Sequence, residues 1–182
     1  SWTAEGDQSY ARVGYSVGTA GDVNRDGFDD VIIGAPYYDN GETNEGIALV
    51  YHGSSSGLNV DPSWIAESDQ AYANLGYSAG TAGDQDGDGF DDVVIGAPGY
   101  DNGESNEGRA FVYHGSASGL SSSPSWIAES NNILAMFAES VGTAGDVNGD
   151  GYDDIIVGAP DYGDYYEEIG RASCRERVCH RV

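Results

Sequence analysis

Small residues, acidic clusters and short apolar runs follow one another along the chain in an order that returns every 62 residues. Trp2, Trp64 and Trp126 mark the period, as do Asp22, Asp84 and Asp146, and Pro36, Pro98 and Pro160, and no insertion breaks the register. Within one unit, Gly14 to Asp22 is a stretch of small residues at β-compatible spacing. Val31-Ile32-Ile33 is a continuous β-branched run closed by Gly34-Ala35-Pro36, where proline removes a ladder donor and ends the pairing. Its counterparts are Val93-Val94-Ile95 and Ile155-Ile156-Val157. Ile47-Ala48-Leu49-Val50-Tyr51 predicts a third strand ending at His52-Gly53, and Ser63-Trp64-Ile65-Ala66-Glu67 a fourth. Helical periodicity is absent. Four short antiparallel strands per repeating unit predict an all-β fold of β-propeller blades, with the small-residue strand nearest the crowded axis.

The phase of the repeat sets the expected boundaries. Residues 1–5 read as the last strand of a preceding or partner blade, 6–67 as blade 1, 68–129 as blade 2 and 130–172 as an incomplete blade 3. Residues 173–182 hold both cysteines and three of the seven arginines, a composition foreign to the rest, and read as an atypical tail from a frame change or an appended segment. A zinc site from Cys174, Cys179 and His180 lacks a recognisable ligand spacing. Three blades cannot close a ring. Two expectations follow: two copies joined head to tail as a six-bladed homodimer, or a piece of a longer propeller.

Charge changes the picture next. There are 31 Asp and Glu against 7 Lys and Arg, all of the latter Arg, for a formal net charge of -24. Such a surface repels nucleic-acid phosphates and anionic lipid, so no nucleic-acid partner is expected, and no stretch approaches the ~18 apolar residues of a membrane span, so no membrane insertion is expected. Disorder fits poorly with 13 Tyr, 3 Trp and recurrent Val/Ile runs. The acids also occupy fixed places in the repeat, as expected of a protein that meets cations.

Those places suit calcium, which takes six to eight oxygen ligands from alternating positions of a tight loop. Loop 1 offers Asp22, Asn24, Asp26 and Asp30 at positions 1, 3, 5 and 9, with the Phe28 carbonyl at position 7. Loop 2 offers Asp84, Asp86, Asp88 and Asp92 with the Phe90 carbonyl, and loop 3 offers Asp146, Asn148, Asp150 and Asp154 with the Tyr152 carbonyl. Position 12, the bidentate Glu of an EF-hand, is Ile33, Ile95 or Val157 inside a strand, so helix-flanked calcium loops are excluded. Three calcium sites are the expectation, and magnesium, which keeps more of its water, the lesser one. The plain alternative is that Asp-Gly and Asn-Gly simply make turns. Asp29, Asp91 and Asp153, at position 8, are expected to face solvent.

An apolar-Gly pair, an acidic loop and Gly-Ala-Pro at fixed spacing, as in Leu75-Gly76, Asp84 to Asp92 and Gly96-Ala97-Pro98, resemble the FG-GAP repeat of integrin α-subunit propellers and their bacterial relatives. The resemblance runs from residue 1 to 172 and implies calcium in the loops and an adhesion or protein-binding role. The third copy departs from it. Phe137-Ala138 replaces the apolar-Gly pair and Glu139 stands where the others have Tyr15 and Tyr77, so a different turn is expected there.

No nucleophile motif or phosphate-binding glycine loop marks an enzyme. His52 and His114 recur at the same place in their units, which favours a structural role over acid–base chemistry. The tryptophans read as inter-blade core rather than sugar platforms. The loop Asp161 to Glu168, rich in tyrosine, is the most individual surface. The reading is a non-catalytic, calcium-binding propeller for adhesion or protein–protein contact, extracellular or at the cell surface, where calcium is abundant. The alternatives are a carbohydrate-binding, lectin-like propeller with a glycan ligand and an accessory propeller of a secreted polysaccharide-degrading enzyme.

Overall fold

Continuous apolar runs in a short strand require both faces of the sheet to be covered, and the fold meets that demand by stacking sheet on sheet. The computed structural model describes residues 2–163 and 171–175. The strands are β1 (Ser16–Gly21), β2 (Asp30–Ala35), β3 (Ile47–Tyr51) and β4 (Trp64–Glu67), then β5 (Ser78–Gly83), β6 (Asp92–Ala97), β7 (Arg109–Tyr113) and β8 (Trp126–Glu129), then β9 (Ser140–Gly145), β10 (Asp154–Ala159) and β11 (Arg171–Arg175). They form three antiparallel meanders, β1-β2-β3-β4, β5-β6-β7-β8 and β9-β10-β11. This is an all-β, propeller-blade architecture, with the small-residue strands β1, β5 and β9 lying side by side.

Period-2 alternation sends successive residues of β2 and of β6 into different cores, whereas Ile156 of β10 is exposed. Ile32 of blade 1 meets Val93, Ile95, Phe111 and Tyr113 of blade 2. Val94 turns the other way, toward Ile155 and Val157 of blade 3. Ile33, Leu49 and Tyr51 form a third cluster on the opposite face of blade 1, closed by Trp2, Ala4 and Val13. The core of the molecule therefore lies between blades rather than within them.

Backbone closeness makes the stack possible. A Cβ on Gly34 would sit 1.9 Å from the Gly76 carbonyl oxygen of the next blade, and one on Gly96 would sit 2.0 Å from that of Ala138. Ser16 and Ser78 donate to those same carbonyls at 2.8 and 2.9 Å. Trp64 and Trp2 each tie their segment to the outer part of a neighbouring blade. Trp64 meets Tyr113 edge-on at 4.7 Å and donates its indole N–H to the Ser121 carbonyl at 3.0 Å. Trp2 repeats this with Tyr51 and Asn59, although residues 2–5 have no ladder partner among the described residues and carry no strand.

Two expectations change. The turn of the third unit does not differ: Ala138 adopts φ 68° beside Gly14 at 86° and Gly76 at 80°, and its N–H donates to the Gly158 carbonyl at 2.9 Å as theirs do to Gly34 and Gly96. Inter-blade packing holds an alanine in the left-handed region at a cost of about 1 kcal/mol. Strand β11 also runs three residues past Ala172, pairing Ser173, Cys174 and Arg175 with Val157, Ile156 and Ile155. A ladder is made of backbone groups and does not require the side chains of the earlier units. Cys179, His180 and residues 164–168 of the tyrosine loop lie outside the described residues.

Ala138→Gly is expected to stabilise the protein by about 1 kcal/mol, less the entropy glycine adds to the unfolded chain. Denaturant unfolding checks this, and a destabilised variant contradicts the strained turn.

Candidate metal centre

A β-bulge precedes every acidic loop. The ladder skips one residue between Thr19 and Gly21, and likewise between Thr81 and Gly83 and between Thr143 and Gly145. The bulge turns the chain out of the sheet, and the first acid of the loop then folds the following residues around itself. In loop 2, Asp84 Oδ1 accepts from the N–H groups of Gly87 and Asp88 at 2.7 and 3.0 Å, and Oδ2 from Gly89 at 2.9 Å. Asp86 Oδ1 accepts from Asp88 N–H at 3.2 Å, and Asp88 Oδ1 from Phe90 N–H at 3.0 Å. One carboxylate oxygen from each of Asp84, Asp86 and Asp88 consequently lies within 4.8 Å of the others.

Loops 1 and 3 have the same scaffold. Asp22 and Asn24 both accept from Asp26 N–H, at 3.0 and 2.9 Å, and Asp26 accepts from Phe28 N–H. Asp146 and Asn148 both accept from Asp150 N–H, at 3.1 and 2.9 Å, and Asp150 accepts from Tyr152 N–H. The Gly151 N–H, with those of Asp150 and Gly149, holds the Asp146 carboxyl below the usual range.

Position 9 is different. Asp30, Asp92 and Asp154 are buried, and Asp92 lies outside the cluster of three carboxylates. Asp92 Oδ2 accepts from Gln85 N–H and Oδ1 from Gly115 N–H, both at 2.9 Å, while Asp30 takes Val23 and Gly53 in the same way. Asp154 accepts from Val147 N–H at 3.0 Å. These acids bind the start of the loop, and in blades 1 and 2 they tie it to the end of the third strand. Burial, with the nearby Asp86 and Asp84 carboxylates, pushes the Asp92 carboxyl up to about 7 despite its two N–H donors.

The histidines brace position 3. His114 Nδ1 stands 2.9 Å from the Asp86 carboxylate and its Nε2 3.3 Å from Gln85 Oε1, while His52 Nδ1 is 3.3 Å from Asn24 Nδ2. Sequence reasoning gave them a structural place without finding the loop they support. The expectation for position 8 is overturned in two units of three. Asp29 is exposed, but Asp91 and Asp153 sit half-buried between blades, accepting from Asp22 N–H at 2.8 Å and Asp84 N–H at 3.1 Å of the preceding blade. Glycine was the available signal. A Cβ on Gly21 or Gly83 would collide with these very carboxylates.

The model of the FG-GAP repeat matches residues 13–51, 75–113 and 137–173, each span running from the apolar pair through an acidic loop to the third strand. The chain belongs to the FG-GAP repeat family. Among curated relatives, this FG-GAP chain is 35% identical over 162 residues to integrin alpha-5 of Xenopus laevis, covering 85% of the chain and 15% of that protein. It is 34% identical over 164 residues to integrin alpha-V of Gallus gallus, again 85% and 15%, and 32% identical over 155 residues to integrin alpha-7 of Rattus norvegicus, 85% and 13%. The chain thus spans well under a fifth of the length of these relatives.

The FG-GAP corners suit a hard divalent cation on chemical grounds. Every convergent donor is oxygen, three of them at loop 2 are carboxylate oxygens, and the backbone fixes their spacing without one. In metal-free protein, the raised Asp92 carboxyl has a definite linkage sign: the folded state keeps its proton above pH 4 while the unfolded state has lost it, so this contribution to stability is lost as pH rises from about 4 to 7. Asp92→Asn is expected to flatten that part of the pH–stability curve in the presence of chelator. Equal slopes for parent and variant contradict the assignment.

Proposed function

We propose that the chain is a non-catalytic, calcium-stabilised propeller module that docks a protein partner outside the cell or at its surface. The ligands would be Asp22, Asn24, Asp26 and Asp30 with the Phe28 carbonyl, and the corresponding residues of loops 2 and 3. The integrin names of the relatives favour adhesion, and the net charge of -24 favours a calcium-rich compartment over a polyanionic partner. No helix among the described residues is long and apolar enough to cross a membrane.

One observation carries the docking face. In an antiparallel meander the acidic loops lie at one end of each sheet, and the second-to-third-strand loops and blade-to-blade connections lie at the other. At that second end, Tyr10, Tyr72 and Leu134 occupy the same place in each unit, are 92%, 60% and 40% exposed, and have φ of 70°, 63° and 59°. Three strained non-glycine residues each present a large apolar side chain to water, where a glycine would relax the backbone. Hydrogen bonds from Tyr72 to Thr43 and from Leu134 to Ser105 set two of them beside the loop of the preceding blade. Trp2 and Trp64 are engaged between blades, which weakens the lectin-like alternative.

Calcium at a hundredfold excess over Kd is expected to stabilise by about 2.7 kcal/mol per site, raising Tm by roughly 5–10 °C for each site filled. An unchanged Tm after exhaustive chelation contradicts a bound cation. On an array of purified extracellular-matrix proteins and glycans, labelled chain is expected to mark protein spots, and the Tyr10→Ser/Tyr72→Ser double variant to lose them with Tm unchanged. Binding confined to glycan spots would transfer support to the lectin-like reading.

A further inference from the structure

The half-buried position-8 aspartates serve no purpose in their own loops that geometry reveals. Their contacts point backwards, to the first acid of the preceding blade. Asp22 N–H donates to Asp91 Oδ2 at 2.8 Å, while Asp91 N–H donates to the Asp22 carbonyl at 3.3 Å, closing a reciprocal ring across the blade boundary. Blade 2 to blade 3 repeats it: Asp84 N–H donates to Asp153 Oδ2 and Asp153 N–H to the Asp84 carbonyl, each at 3.1 Å. Loop 1 receives a further bond from blade 2, Ser116 N–H to the Val23 carbonyl at 3.1 Å.

This ring holds both backbone groups of Asp22 and of Asp84, the residues on which loops 1 and 2 are built. Asp22 carboxylate oxygens organise Asp26 and Gly27, so fixing its backbone fixes the origin of the oxygen cluster. Gly21 at φ +79° and Gly83 at φ +71° leave the space that the incoming carboxylate fills, since a Cβ there would lie 2.3 and 2.0 Å from Asp91 and Asp153 oxygens. A Cβ on Gly145 would meet nothing within 4 Å among the described residues, and Asp146 is exposed where Asp22 and Asp84 are half-buried. Loops 1 and 2 therefore have a support that loop 3 lacks among the described residues.

We propose that Asp91 and Asp153 are positioning residues that make the cation loops of blades 1 and 2 depend on the docking of the blade that follows each. Cation binding and blade–blade association are then thermodynamically linked, each strengthening the other by the same factor. The cation part rests on the calcium reading above, whereas the ordering of the loop does not require a bound ion.

The test compares full-length Asp91→Ala, Asp91→Asn and Asp29→Ala with the parent. Asp29→Ala removes the same charge from the same loop position where no preceding blade is contacted. Amide hydrogen exchange in chelator reads loop order, and calorimetric calcium titration reads affinity. Asp91→Ala is expected to lose about tenfold protection at the Asp26 and Gly27 amides of loop 1, the amount expected for one charge-assisted hydrogen bond. Asp88 and Gly89 of loop 2 keep theirs, and one calcium site weakens by a similar factor. Asp91→Asn, which keeps an oxygen acceptor, recovers most of the protection, and Asp29→Ala resembles the parent. Loss confined to loop 2, equal loss in Asp29→Ala, or no loss in Asp91→Ala overturns the proposal. Should Asp91→Ala fail to fold, Asp91→Asn with exchange at Asp26 decides, retained order supporting the clasp and order lost only in loop 2 overturning it. A parent that binds no calcium refutes the cation reading while exchange still judges the clasp.

Discussion

No blade of this protein can bury its own apolar side chains, because a single four-stranded sheet has two faces and no interior. Every other feature follows from that constraint. Ile32 finds its core in blade 2 and Val94 in blade 3, so the strands read as unbroken apolar runs rather than alternating ones. Close stacking then requires glycine where carbonyls approach, at Gly34 and Gly96, and hydroxyls that satisfy those carbonyls, at Ser16 and Ser78. Such a stack is a one-dimensional array whose stability resides in its interfaces.

The acidic corners lie at the rim of those interfaces. Two unit charges at 4.8 Å repel by about 3–4 kcal/mol at an effective dielectric of 20, and loop 2 holds three carboxylates with oxygens no farther apart than that. Backbone N–H groups offset part of this, as the lowered Asp146 carboxyl indicates. They cannot neutralise the charge, and the turn-only reading has no use for so many carboxylates in one place. A divalent ion would remove the repulsion and stiffen a corner that also touches the neighbouring blade, joining the electrostatics of the loop to the packing of the stack.

Much of this was legible in the chain because repeats expose themselves. The strands, their order and the loop positions follow from periodicity and from residues close in sequence, such as Asp84 with Asp86 and Asp88. What escaped depends on pairs far apart. Asp91 meets Asp22 across 69 positions, one repeat plus seven, which is invisible until the blades are stacked. His114, just past the third strand of its sheet, meets Asp86 in the loop between the first two. Ala138 kept a glycine's conformation because its neighbours hold it there, a tertiary effect that overrides local preference. Strand β11 shows the reverse: its side chains are foreign to the earlier units, yet backbone pairing continues through Arg175.

The central claim, that convergent oxygens at the strand corners are held by a cation, is tested most directly by anomalous diffraction from crystals grown with manganese as a calcium substitute. The account predicts a peak at each of three corners, enclosed by Asp22, Asn24 and Asp26, by Asp84, Asp86 and Asp88, and by Asp146, Asn148 and Asp150. Well-ordered loops with no anomalous peak at any corner would contradict it.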